Sequence, residues 1–182
     1  MKELSLNILD ISENSVKAGA TLIQIDLKET NELFTIAITD NGCGMTEDVR
    51  KSVIDPFYTT RTTRRVGLGI PLLKLAAEQT GGQLSIASWH ESEFADKHGT
   101  VVTALFCKNH IDFTPLGDIV STIVTLIQGH PEIDFSFTHH TLNGDVTLDT
   151  RELRSVLGDV PLNEIEVLHW ISENLNEQYS SL

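Results

Sequence analysis

Apolar residues recur three and four positions apart along residues 3–18, with Leu4, Ile8 and Ile11 in register and Asn7, Asp10, Asn14 and Lys17 on a different, polar face. That period predicts a helix, broadened by Leu6, Leu9 and Val16 and stopped near Gly19. From Thr21 to Lys28 the pattern alternates, with Ile23, Ile25 and Leu27 against Gln24, Asp26 and Lys28, which predicts a strand. A second strand over Leu33–Thr39 follows as a hairpin. Its Phe34, Ile36 and Ile38 share one face, and Asp40 falls on it. Parity therefore aims a carboxylate at the apolar side where the strand ends. Burying it unpaired costs several kcal/mol, so this Asp needs a committed hydrogen-bond partner or a ligand.

Thr46 precedes a short helix, with Glu47 and Asp48 suited to its N-terminus. A loop rich in Thr and Arg over about 55–66 leads to Gly67-Leu68-Gly69 and a helix over 70–79, with Pro71 in its first turn and Gly81-Gly82 after its end. Gln83–Ser88 and Thr100–Phe106 read as strands around a polar, exposed loop at 91–98. Beyond Asn109, Leu116, Ile119, Ile123 and Ile127 predict a helix over Pro115–Gln128. Phe135 and Phe137 alternate in a strand, Asn143-Gly144 signals a hairpin, and Val146 and Leu148 lie on the return strand. Thr150 is the expected cap of a helix through Leu157, and a last helix from about Asn163 carries Ile165, Leu168, Ile171 and Leu175 on one stripe. The organisation expected is a principal unit at 1–110 and a smaller α+β extension of unknown role at 111–182, either a separate domain or more of the same fold.

The formal net charge of -13 opposes non-specific binding to nucleic acid or to an anionic membrane. It also opposes a polyanionic nucleotide, so such a site needs its own cations or a metal. Cys43 and Cys107 offer neither a disulfide framework nor a CxxC metal pair, and free thiols suit a reducing cytoplasm. No secretory leader and no membrane span is recognisable, so the expected location is cytoplasmic.

Four segments carry candidate chemistry. Asp10 and Asn14 stand one helical turn apart on one face. Asn14 offers the hard oxygen that Mg²⁺ favours, and Asp10 could polarise a water for attack on a γ-phosphate or hold a metal-bound water; a merely solvated helix face is the competing reading. Asp40-Asn41-Gly42-Cys43-Gly44-Met45 ends a strand with a carboxylate able to accept from an exocyclic amino group, present on adenine at N6, although Asp-Asn-Gly is also ordinary turn chemistry. Thr59 to Arg65 gathers three of the 13 basic residues, suited to phosphate unless it is simply a solvated loop. Gly67-Leu68-Gly69 opens a helix whose N-terminal amides favour an anion, and it is not a P-loop.

Taken in this order, the segments resemble the GHKL, or Bergerat-fold, ATPases. Asn14 to Thr21 and Asp40 to Met45 look like the N-box and first glycine box of MutL-type members. Pro56 to Arg61, Gly67 to Ile70 and Gly81 to Ile86 are more similar to sensor histidine kinases, and Gly99-Thr100 resembles the final glycine box. The resemblance covers about 3–107 and implies an α/β fold, a two-layer α/β sandwich with a mixed sheet. It implies ATP and Mg²⁺ as ligands. Asn14 would hold the metal, with Lys17 beside it. Asp40 would bond adenine N6, supported by Thr100 through a water, and Gly42, Gly44 and Met45 would border the base. Thr60 and Arg61 would belong to a mobile lid, and Gly67, Leu68 and Gly69 would face the phosphates.

Asp10 stands where hydrolysing members carry Glu and histidine kinases Asn, so hydrolysis, phosphotransfer and nucleotide-gated switching stay open. Sensor kinases carry an acceptor histidine ahead of the N-box, whereas all seven histidines here lie at or beyond His90. The resemblance thus leads to a stand-alone kinase or slow ATPase working through a partner protein. The alternatives are a non-catalytic nucleotide-dependent binding module and a MutL-like ATPase, the last opposed by the acidic charge. The extension is a candidate homodimer surface.

Overall fold

The computed structural model describes residues 3–54, 69–94 and 96–182. Helix α1 (Leu4–Lys17) leads into strands β1 (Leu22–Glu29) and β2 (Leu33–Asp40), then α2 (Glu47–Ser52) and α3 (Gly69–Gln79). Strands β3 (Gln83–Trp89) and β4 (Gly99–Cys107) follow, then α4 (Ile119–Gly129), β5 (Asp134–His140), β6 (Asp145–Asp149), α5 (Thr150–Leu157) and α6 (Ile165–Ser180).

The six strands form one sheet in the order β3-β4-β2-β1-β5-β6. It is mixed, because β1 and β5 run parallel while every other neighbouring pair is antiparallel. Alternation decides its two faces. Ile23, Ile25 and Leu27 are buried, Ile23 opposite Phe135, Ile25 opposite Ile38 and Phe137, and Leu27 opposite Ile36, with Phe34 and Phe106 on the same side. Asp40 and His139 also fall on it, opposite Ile23 and Leu27. Helices α3, α1, α4 and α6 cover that side in contact order. The result is the expected two-layer α/β sandwich. Strands β5 and β6, from the chain beyond 110, continue the sheet begun by β1–β4, and their Phe135, Phe137, Val146 and Leu148 join the same buried core.

Two boundaries differ from the sequence reading. The helix expected from Pro115 begins at Ile119, because the Pro115 and Leu116 carbonyls accept the first amides of α1, from Leu4 and Ser5, at 2.9 and 2.8 Å. Asp118 then caps α4 through the Ser121 amide. Helix α5 is capped by Asp149, not Thr150. The Thr150 hydroxyl instead accepts from the Phe135 amide at 2.8 Å, tying the helix start to the sheet. Asn7 also departs from the expected polar face: it is 2% exposed.

At the far end of the sheet, Gln178 of α6 lies against the outer edge of β6. Its Oε1 accepts from the Thr147 amide at 2.8 Å, and its Nε2 donates to the Thr147 carbonyl at 3.0 Å. Behind this edge, buried His139 shares a 2.8 Å hydrogen bond with the Tyr179 hydroxyl, while its Nε2 faces Glu29 at 3.9 Å. Glu29 is itself paired with Lys108. Burial holds the His139 imidazole below its ordinary value, with Glu29 pulling the other way.

Candidate functional site

Asp40 ends β2 on the buried face, as its parity predicts, and is 9% exposed. Both carboxylate oxygens have protein donors. Oδ2 accepts from the Ser15 hydroxyl at 2.7 Å and Oδ1 from the Gly42 amide at 2.9 Å. A carboxylate accepts about four hydrogen bonds, so each oxygen retains acceptor capacity. Directly opposite Asp40 in the β2–β4 register stands Thr100.

The Thr100 hydroxyl lies 2.9 Å from Ser88 Oγ. Ser88 Oγ also accepts from the Met45 amide at 2.8 Å and donates to the Gly99 carbonyl at 3.0 Å. A serine hydroxyl has one hydrogen. With that hydrogen on Gly99, Thr100 must donate to Ser88, which leaves the Thr100 oxygen an acceptor on the Asp40 side of the sheet.

The glycines after Asp40 fit by necessity. A Cβ on Gly42 would lie 2.8 Å from the Ala18 carbonyl oxygen and 2.9 Å from Ala18 Cβ. Gly44 adopts φ +70°, and a Cβ there would collide with the Trp89 carbonyl. Asn41 secures the turn, its Oδ1 accepting from the Thr21 and Leu22 amides at 2.9 Å each. The Gly42 carbonyl accepts from His98 Nδ1 at 2.6 Å, which fixes the proton on that ring nitrogen because a carbonyl cannot donate. Met45, half-buried, follows at the start of α2.

The other cluster lies on α1. Asp10 is exposed, Asn14 half-buried, and Lys17, one turn further on, is exposed. The first residue of α3 abuts this flank: a Cβ on Gly69 would lie 3.3 Å from Asp10 Cβ and 3.7 Å from Asn14 Nδ2. The structure thus brings Asp10, Asn14 and Gly69 together, and separately Asp40, Gly42, Met45 and Thr100. Ser15, the neighbour of Asn14, joins the two groups. Thr60, Arg61, Gly67 and Leu68 lie outside the described residues.

Ser15, Ser88 and His98 were not foreseen as parts of this arrangement. Each acts across a sequence separation that a hydrophobic pattern does not report: 25 residues to Asp40, 12 to Thr100, 56 to Gly42.

The family described as histidine kinase-, DNA gyrase B-, and HSP90-like ATPase matches residues 2–110. Among curated proteins, the chain is 30% identical over 103 residues to sporulation kinase B of Bacillus subtilis, covering 57% of this chain and 22% of that one. It is 30% identical over 88 residues to the signal transduction histidine-protein kinase AtoS of Escherichia coli, covering 48% and 14%. A putative sensor protein of Shewanella frigidimarina is 28% identical over 89 residues, again covering 48% and 14%. The chain therefore spans less than a quarter of the length of these relatives. Among solved structures, the N-terminal domain of a DNA repair protein superposes with a TM-score of 0.57 at 18% identity, covering 87% of this chain and 58% of that one, a likeness of fold.

Proposed function

Because the chain belongs to the histidine kinase-, DNA gyrase B-, and HSP90-like ATPase family, we propose that it binds ATP with Mg²⁺ between α1, the end of β2 and the start of α3, and that it acts in signalling through a partner protein as a kinase or slow ATPase. The observation that carries this reading is that consecutive residues of one helix serve both clusters. Asn14 lies against Gly69, and Ser15 holds Asp40.

The residues present fit the ligands. Asp40 retains acceptor capacity on both oxygens for an adenine amino group and an ordered water, and Thr100 supplies a further acceptor for that water. An amino group donates where the guanine carbonyl at the equivalent ring position only accepts, so Asp40 selects adenine over guanine. Asn14 offers a neutral oxygen to Mg²⁺, and Asp10 would hold a metal-bound water. A neutral Asn oxygen suits a cation whose remaining ligands are phosphate oxygens and water. The bound cation would offset triphosphate charge in a chain of net charge -13. The first amides of α3, from Gly69 on, would be directed at the same phosphates.

Calorimetry with ATP, GTP and ADP, each with and without Mg²⁺, tests this reading. Mg²⁺-dependent binding of the adenine nucleotides with GTP excluded is the expected result; equal affinity for ATP and GTP overturns it. A second reading, a nucleotide-gated module without chemistry, is favoured by Asp10, which is one methylene shorter than Glu and exposed. Single-turnover measurements with labelled ATP separate the two: neither released phosphate nor labelled protein leaves the module.

A further inference from the structure

Charge is spread unevenly along this chain. Twelve of its 26 acidic residues lie at 111–182, but only Arg151 and Arg154 of its 13 basic ones. Both guanidinium groups are engaged, by Asp149 and Asp134.

A groove of about 300 Å³ opens in this acidic region beside β6, lined by Thr147 and Asp149 of the strand, Glu152 and Leu153 of α5, and Trp170 and Asn174 of α6. Trp170 is 49% exposed, on a helix that buries Val167, Leu168, Ile171 and Leu175. Glu166, Glu173 and Glu177 stand four residues before, three after and seven after Trp170, which puts them on the same stripe of α6. Glu173 pairs with the exposed His169. Among the described residues, Glu152, Glu166 and Glu177 form no ion pair.

We infer that this groove docks a basic segment of a partner protein, with a Lys or Arg side chain laid on the Trp170 indole and neighbouring cations set against Glu152, Glu166 and Glu177. An indole face attracts a cation, more so where water is partly excluded, and the surrounding carboxylates steer and orient it. Charge selects this occupant over a second copy of the chain, which would bring the same acidic surface against itself. The inference deepens the signalling role proposed above and rests on it only for the existence of a protein partner.

The probe is a peptide of about nine residues alternating arginine and leucine, with a glutamate-for-arginine counterpart, titrated into the nucleotide-free full chain. In a Trp89→Phe background Trp170 is the sole indole, and its emission should change saturably with the arginine peptide alone. Trp170→Ala, and separately Glu152→Gln with Glu166→Gln and Glu177→Gln, should each weaken binding by at least about tenfold. A control triple of the same charge change at exposed positions, Glu32→Gln with Glu91→Gln and Glu93→Gln, should cost less than about twofold.

Equal losses from the two triples, or undiminished binding to Trp170→Ala, overturn the proposal. So does a concentration-dependent doubling of mass that shields Trp170 without peptide. Calorimetry with ATP on the same variants tells the two readings apart. Normal ATP binding with no peptide effect removes the groove alone, and the converse removes the nucleotide reading alone.

Discussion

The Ser15 hydroxyl of α1 donates to Asp40 Oδ2 of β2 at 2.7 Å, so the helix that presents Asn14 also sets the position of the carboxylate at the end of the sheet. Asp40 is nearly buried, and a hydrogen bond to a charged group in such a place contributes about 1.5–3 kcal/mol. Ser15→Ala should lower the free energy of unfolding by roughly that amount and weaken ATP several-fold, measured by urea denaturation and calorimetry. An unchanged ATP affinity would show that the helix does not aim the carboxylate.

Asp40→Asn should spare the fold and impair binding. The Asn carbonyl can keep the Gly42 amide, and Ser15 can turn its hydroxyl to accept from the new amide nitrogen. What would be lost is the acceptor proposed for the adenine amino group. A loss of at least about tenfold in ATP affinity is expected, with no corresponding loss for GTP, and calorimetry on both nucleotides reads the difference.

Asn14→Ala should diminish the Mg²⁺ dependence of ATP affinity far more than it diminishes stability, because the side chain is half-buried at the rim of α1. Asp10→Asn should leave ATP affinity near the parent value and slow phosphate release. A release rate equal to the parent's removes Asp10 from any part in the chemistry.

Two glycines with positive φ should answer differently to alanine. At Gly19, φ +75°, an added Cβ meets nothing within 4 Å, so only the left-handed backbone cost of about 1–2 kcal/mol applies. At Gly44 the Cβ also collides with the Trp89 carbonyl, and overpacking adds about 1–3 kcal/mol. Thermal melts of Gly44→Ala and Gly19→Ala should separate in that order.

His139 gives a pH dependence of definite sign. Its ordinary value is 6.5, and burial depresses it in the folded chain; Glu29 opposes, while His140 and Lys108 reinforce. Tyr179, the remaining neighbour, is pushed up by the same burial and stays neutral. The unfolded chain therefore binds more protons just below pH 6.5. The neutral-His contribution is complete above that value and is lost as pH falls toward the folded value, with a slope of at most about 1.4 kcal/mol per unit. The stability difference between parent and His139→Gln, followed from pH 7.5 to 5, should shrink on acidification; a constant difference contradicts the assignment.

Elements whose residues repeat at 3.6 or 2 positions were readable without coordinates. The α1 stripe, the β1–β2 hairpin and the parity of Asp40 are cases in point. Asn7 was not, because its spacing matches Asp10 and Asn14 while α3 packs beside that flank of α1. The start of α4 was misplaced because the Pro115 and Leu116 carbonyls are taken by α1, a partner more than 100 residues away. Motif spacing singled out Asn14 within α1, Asp40 at the end of β2 and Gly69 at the start of α3. It could not find the hydroxyls and the imidazole that hold Asp40, Thr100 and Gly42, since Ser15, Ser88 and His98 have partners fixed only by how strands and helices meet.

The glutamine seated on Thr147 also bears on how copies of this protein meet. An unprotected strand at the rim of a sheet is a template on which like molecules can polymerise. Here the place of a seventh strand is already taken at mid-rim by a side chain of the same molecule. Fibre growth from that rim would first have to prise the amide away, so removing it, as in Gln178→Ala, should expose a latent tendency to assemble into filaments.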